Sequence, residues 1–209
     1  RREYAAASLV RLARAAGGAD VPAFPQLVIT DAMRRAGEQV LTRAGVTDPA
    51  RTVALVAAGS WPSKTWPLAN AAQLAIALRE AGHPVVAIGG PGEEGVLARL
   101  AALAPGTPVL TAPDVAALAG AIAPLRALVG TDSGPRHLAV AFGVPTFTWF
   151  GPAHLAAWTP DDLRHGLWRT ALPCRACERT VCAHWNCLPG LSAREATALV
   201  LAHLERHGR

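Results

Sequence analysis

Between residues 51 and 150, short unbroken apolar runs alternate with longer stretches in which apolar residues return every three or four positions. The runs predict strands near 53–58, 84–89, 107–111, 126–130 and 145–150; the periodic stretches predict helices near 67–81, 93–104, 114–123 and 134–142. The first helix is well delimited, since Pro67 suits its start, Leu68, Ala71, Ala75 and Leu78 share one face, and Gly82 stops it. Strand followed each time by helix argues for an α/β fold, a Rossmann-like doubly wound parallel sheet with ligands at the carboxyl ends of its strands. Upstream, residues 1–50 hold helix-like segments at 4–16 and 31–44 around a proline-containing, strand-like piece at 21–30. Downstream, Ser192-Ala193-Arg194-Glu195 reads as a capping box opening a last helix over 192–207, with Ala196, Leu199, Val200 and Leu204 on one face.

Two strand-to-helix junctions carry candidate chemistry. In Thr131-Asp132-Ser133-Gly134-Pro135-Arg136-His137, Gly134 can take backbone angles closed to other residues, and Pro135 suits the first helical position because its absent N–H would have had no partner. The N–H groups behind it, at the positive end of a helix dipole, suit a phosphate, with the carboxylate of Asp132, the hydroxyl of Ser133 and the imidazole of His137 beside it. The second junction is Gly59-Ser60-Trp61-Pro62-Ser63-Lys64-Thr65-Trp66-Pro67. Lys64 is the only lysine among 20 Lys and Arg residues, and a compact ammonium on a flexible stem suits a diphosphate oxygen. Read from sequence, Lys64 lies in an exposed loop, so its loss is expected to spare the fold. Trp66 is expected to pack the loop, and Trp61 to pack at the rim or shield a bound ligand.

These junctions resemble the donor-binding half of glycosyltransferase family nine, the ADP-heptose:lipopolysaccharide heptosyltransferases. The resemblance rests on Gly59-Ser60-x-x-x-Lys64-x-Trp66-Pro67, Val85-Val86-Ala87-Ile88-Gly89-Gly90, Asp132-Ser133-Gly134-Pro135-x-His137-Leu138-Ala139, Gly143-Val144-Pro145 and Phe150-Gly151-Pro152, in the family's order and spacing. It implies the second half of a two-domain GT-B enzyme. Residues 1–50 would end the first domain and cross over; residues 51–209 would form the nucleotide-sugar-binding domain, with a Cys-rich loop at 173–188 and the last helix. Ser60 and Lys64 would contact the diphosphate, Ser133, Gly134 and Pro135 would present the helix terminus, Asp132 and His137 would orient phosphate or sugar, and Glu93 would meet the ribose. The donor would be a nucleotide-diphosphate sugar, ADP-heptose in the family. The acceptor, a glycan or lipid-linked glycan, and the catalytic base would belong to the first domain, so this chain alone is expected to bind donor without transferring sugar. The resemblance also implies a bacterial cytoplasmic setting, peripheral to the inner membrane, and no cofactor for catalysis; no Asp-x-Asp pair is present to hold a diphosphate through a metal.

Composition narrows the field. A 51% hydrophobic chain of 209 residues can bury one α/β core. Its formal charge of +5 comes from scattered arginines without a dense basic run, so nucleic acid is not implied, and no apolar stretch reaches membrane-spanning length. Two other readings stay open: a non-catalytic sugar-nucleotide-binding module, and a nicotinamide-dependent oxidoreductase through Gly90-Pro91-Gly92-Glu93-Glu94-Gly95 with Asp114 downstream. The latter is weakened because Pro91 removes a donor and Glu93 and Glu94 put negative charge where pyrophosphate would sit. The loop before Lys64 also lacks the glycine that a P-loop places ahead of its lysine. Finally, Cys174, Cys177, Cys182 and Cys187 fall within fourteen residues, with His184 among them. Reduced structural thiols, a structural zinc or iron–sulfur cluster, and disulfides are all compatible with that spacing.

Overall fold

The computed structural model describes residues 3–208. Six parallel strands, β1 (Val53–Val56), β2 (Val85–Gly89), β3 (Val109–Thr111), β4 (Ala127–Thr131), β5 (Thr146–Phe150) and β6 (His165–Arg169), form one sheet in the order β3-β2-β1-β4-β5-β6. That is the doubly wound α/β arrangement, and it reverses direction between β1 and β4, which pair side by side from Val53↔Ala127 to Val56↔Gly130. The strands read as continuous apolar runs because both sheet faces are covered. Val53 and Leu55 enter one core with α3 (Leu68–Glu80), α4 (Glu94–Leu103) and α8 (Ala193–His207). Ala54 and Val56 enter the other, with α2 (Asp31–Arg43), α5 (Val115–Ile122) and α6 (Gly134–Ala141).

Helix α2 packs on α5 backbone to backbone. A Cβ on Gly120 would stand 1.8 Å from the Met33 carbonyl oxygen, and one on Gly37 would stand 2.1 Å from the Gly120 carbonyl carbon. Val40 and Leu41 of α2 are thereby buried in the core under the sheet. In contrast, α1 (Ala5–Ala15) and the short α7 (Leu155–Trp158) bury no residue, and Leu9 and Leu12 stay largely exposed.

Most predicted elements lie within a residue or two of their expected bounds. Residues 21–30 do not form a strand; among the backbone bonds of this segment, Leu27 N–H reaches the Ala141 carbonyl at 3.1 Å, and Pro22 and Pro25 offer no N–H to a ladder. The edge strand β6 has no apolar run to announce it: Gly166 interrupts it, and only His165 of its five residues is fully buried. The capping box at α8 is half formed. Ser192 Oγ accepts from Glu195 N–H at 3.2 Å, while the Glu195 carboxylate accepts from Trp168 Nε1 of β6 at 3.0 Å, so the helix cap is spent on fastening the edge strand.

Two buried imidazoles lie where β6 meets α8. His165 Nδ1 is 3.1 Å from Thr146 Oγ1, and His203 packs edge-on against Phe147, in room made by Gly166, where a Cβ would approach His203 Nδ1 to 2.7 Å. Burial holds each ring's pKa down to about 4; neighbouring arginines push His165 the same way against Asp162, and His207 does so for His203. A lowered folded pKa means the fold favours the neutral ring. The stability these rings contribute is therefore complete above the unfolded value of roughly 6.5 and is lost as pH falls from there toward 4. The thermal midpoint is expected to drop across that interval in melts by circular dichroism, and His203→Gln should flatten the drop. A variant with the parent's slope would contradict the assignment.

Candidate functional site

The loops that leave β1 and β4 at their carboxyl ends meet in the crevice where the strand order reverses. Gly130 makes the close approach possible: its φ of 148° is open to glycine, and a Cβ there would lie 2.2 Å from the Val56 carbonyl oxygen. After β1 the chain makes a single 3-10 turn over Pro62–Lys64, which aims the Lys64 side chain across the crevice. Its Nζ lies 2.7 Å from Asp132 Oδ2 and 4.4 Å from the centroid of the Trp61 ring. The Lys64 backbone is held too, its carbonyl accepting a hydrogen bond from Thr131 Oγ1.

Asp132 is almost wholly buried, at 4% exposure. One oxygen takes Lys64. The other, Oδ1, has no hydrogen-bond partner among the described residues, with His137 Nε2 at 3.8 Å. Burial, then the charges of Arg136 and Lys64, lower the His137 pKa, against the pull of Asp132. The imidazole is thus mostly neutral at pH 7 and offers one N–H. Its ring leans on Trp158, centroids 5.7 Å apart.

Behind Asp132, α6 begins without a side-chain cap, because Ser133 Oγ donates to the Thr131 carbonyl at 3.2 Å instead of serving the first turn. Gly134 lies in the helix and is not among the glycines with positive φ, which corrects the expectation from sequence: its contribution is space, since a Cβ there would meet nothing within 4 Å. Pro135 occupies the first turn as expected. The open helix terminus, a half-buried imidazole and an ammonium backed by a buried carboxylate lie together in the crevice, an arrangement suited to an anion.

Lys64 does not lie in the exposed loop expected from sequence. Its side chain is 14% exposed and neutralises a buried carboxylate, so removing it strands that charge and costs stability. Ser60 is exposed at the mouth of the same loop. Trp66 is a core residue, donating from Nε1 to the Leu191 carbonyl at 3.0 Å and packing against Trp149. Glu93 lies at the end of β2, next to β1, where Oε2 accepts from Gly90 N–H at 2.7 Å, while Glu94 Oε1 accepts from Gly92 N–H at 3.2 Å. The Gly90–Gly95 turn thus satisfies its own donors with carboxylates, and Asp114 is used as the cap of α5, accepting from Ala117 N–H at 2.8 Å. Neither is arranged as a dinucleotide site.

Sequence reasoning missed three contributors. Thr131 stands in the sequence only as the first residue of its junction, with nothing to show that its Oγ1 holds the Lys64 carbonyl. Arg136, valued for its N–H, sends its guanidinium inward, fully buried, to Thr148 Oγ1 at 3.0 Å and the Trp158 carbonyl at 2.5 Å, which fixes α6 to β5. Ser63, 3% exposed, joins the loop after β1 to the cysteine-rich segment. Alternation of polar and small residues gives no sign of such long-range partners.

Cys174, Cys177, Cys182 and Cys187, all free thiols, line one cavity of about 250 Å³ with His184, Ser63, Gly151 and Pro152. Burial raises the Cys187 pKa, and the nearby thiols of Cys177 and Cys174 add to it. Four thiols are zinc or iron chemistry, yet among the described residues no three His, Cys, Asp or Glu side chains are gathered to hold a metal ion.

The family model described as glycosyltransferase family 9 (heptosyltransferase) matches residues 5–187. Lipopolysaccharide heptosyltransferase 1 of Pseudomonas aeruginosa is 33% identical over 129 residues, 60% of this chain and 36% of that protein. Among solved structures, a family 9 glycosyl transferase from Veillonella parvula superposes with a TM-score of 0.82 at 19% identity, over 99% of this chain and 61% of that one. The ADP-heptose lipopolysaccharide heptosyltransferase II of E. coli gives 0.72 at 18% identity, over 90% and 56%. The chain therefore spans between about a third and three fifths of the length of these relatives.

The charges around His137 make a specific expectation for its titration. Asp132 raises its pKa and Lys64 lowers it, so Asp132→Asn should move the midpoint further down and Lys64→Gln should move it up. Proton NMR of the His137 ring across pH 4–8 measures both; shifts in the opposite directions would contradict the arrangement.

Proposed function

Because the chain belongs to glycosyltransferase family 9, the heptosyltransferase family, we propose that it is the donor-binding half of a heptosyltransferase, holding ADP-heptose for inverting transfer to a lipopolysaccharide-core or related glycan. The observation that carries this reading is the Lys64–Asp132 pair beside the uncapped start of α6, at the point where the strand order reverses. The donor named for the E. coli relative supports ADP-heptose. Among the described residues no helix is long and apolar enough to cross a membrane. The acceptor is taken to be a lipid-linked glycan met at the inner face of the inner membrane, with the enzyme in the cytoplasm.

In direct displacement, an acceptor hydroxyl attacks the anomeric carbon while the bond to the diphosphate breaks on the opposite side, and negative charge grows on the leaving group. The acceptor proton goes to a base on the acceptor-binding domain. The residues of this chain serve the leaving group. The Lys64 ammonium and the dipole of α6 stand where the diphosphate charge develops, fixed before the reaction by Asp132, Thr131 and the burial of Arg136. Asp132, whose Oδ1 is closed to solvent and faces His137 Nε2 at 3.8 Å, acts through Lys64 and His137 to orient phosphate or sugar, and the neutral His137 ring donates to a phosphate oxygen or a sugar hydroxyl. Ser60 reaches the outer diphosphate oxygens, while Glu93, one oxygen kept on Gly90, offers the second to the ribose.

Calorimetry in EDTA tests the reading directly. ADP is expected to bind without divalent metal, and Lys64→Gln, which can still donate to Asp132, is expected to weaken it by roughly tenfold to a hundredfold, the worth of a charge-assisted contact. A folded chain that takes up neither ADP nor UDP, or a variant that binds as the parent does, would refute it.

A further inference from the structure

The cysteine-rich segment closes over the loop after β1, and its attachment falls on one residue. Ser63 N–H donates to the Thr180 carbonyl at 3.1 Å, Ser63 Oγ donates to the Arg179 carbonyl at 2.6 Å, and the Ser63 carbonyl accepts from Trp185 Nε1 at 3.2 Å. Every polar group of Ser63 is thus spent on residues 179–185. The residue that follows it is Lys64.

The segment is held at its other side as well. Ala176 N–H donates to the Gly151 carbonyl at 3.3 Å and Glu178 N–H to the Pro152 carbonyl at 2.8 Å, just past the end of β5. Ala176 and Glu178 have φ of 59° and 56°, the left-handed region that costs residues other than glycine free energy and persists where surrounding contacts impose it. A continuous path therefore runs from β5 through Cys177 and its neighbours to Ser63, with the thiol-lined cavity beneath it. Without this path the three-residue turn that carries Lys64 would be held by the Lys64 N–H to the Trp61 carbonyl and by the contacts of Lys64 itself with Thr131 and Asp132.

From this we infer that the cysteine-rich segment positions the Lys64 ammonium for a nucleoside diphosphate, with Ser63 and Trp185 as positioning residues that do not touch the ligand. The inference rests on the reading of Lys64 as a diphosphate contact. It gives the segment a role in donor affinity that does not depend on its thiols taking part in the chemistry. Misplacing a point charge weakens its interaction with a fixed anion, whereas a residue that only supports the fold would lower affinity whether or not the charge is present.

A double-mutant cycle separates these cases, with ADP affinity of the full chain measured by calorimetry and folding checked by circular dichroism. Ser63→Ala and Trp185→Phe are each expected to weaken ADP by about two- to tenfold in the native background, the range for one lost hydrogen bond, and to have no further effect once Lys64→Gln is present. Equal losses in both backgrounds, or no loss in the native one while Lys64→Gln binds weakly, would overturn the positioning role and leave the diphosphate site standing. Unchanged affinity in Lys64→Gln alone would instead remove the reading beneath it. Trp185→Phe keeps the ring and loses only the N–H, so it carries the test if Ser63→Ala does not fold.

Discussion

Asp132 gives up nearly all contact with water when this chain folds, and a carboxylate in that position needs a cation and hydrogen bonds to offset the loss of hydration. Lys64 supplies the cation from the neighbouring loop at 2.7 Å. That requirement ties together parts of the chain 68 residues apart. The loop after β1 must be drawn over the end of β4, which the close Gly130–Val56 contact permits, and α6 must be held rigidly behind Asp132, which the buried Arg136 guanidinium achieves through Thr148 and Trp158. The sheet order does the rest by placing β1 and β4 side by side.

The pair also explains how the proposed site for a multiply charged anion can be stable when empty. An unpaired lysine, an open helix terminus and a charged imidazole in one half-buried crevice would repel one another. Here Asp132 neutralises Lys64, and burial with the neighbouring cations keeps His137 mostly uncharged. In the proposed reading an arriving diphosphate adds negative charge to a crevice whose own charges are already balanced. Its presence would favour a proton on His137, which links donor binding to pH through the same groups.

Much of this was legible in the amino-acid sequence, because its clearest signals are local. Buried parallel strands declare themselves as apolar runs, and the glycines and prolines at 82, 134 and 135 mark where helices stop and start. The two chemical loops could be read from Lys64, alone among arginines, and from Asp132-Ser133-Gly134-Pro135. What stayed hidden depends on partners far apart in the chain. Nothing near Lys64 announces that Asp132 will bury against it, so the sequence suggests an exposed loop where the structure has a buried pair. The helix-capping potential of Glu195 was legible, but its diversion to Trp168 was not, since β6 has no apolar run. Residues 21–30 have the composition of a strand with prolines where a ladder needs donors, and the prolines win.

A crystal structure of the chain with ADP decides whether this crevice holds the donor. The diphosphate is expected between β1 and β4, with a β-phosphate oxygen within about 3 Å of Lys64 Nζ and the phosphates facing the first turn of α6. ADP ordered elsewhere, for instance at the Gly90–Gly95 turn, with the Lys64–Asp132 pair untouched, would contradict it.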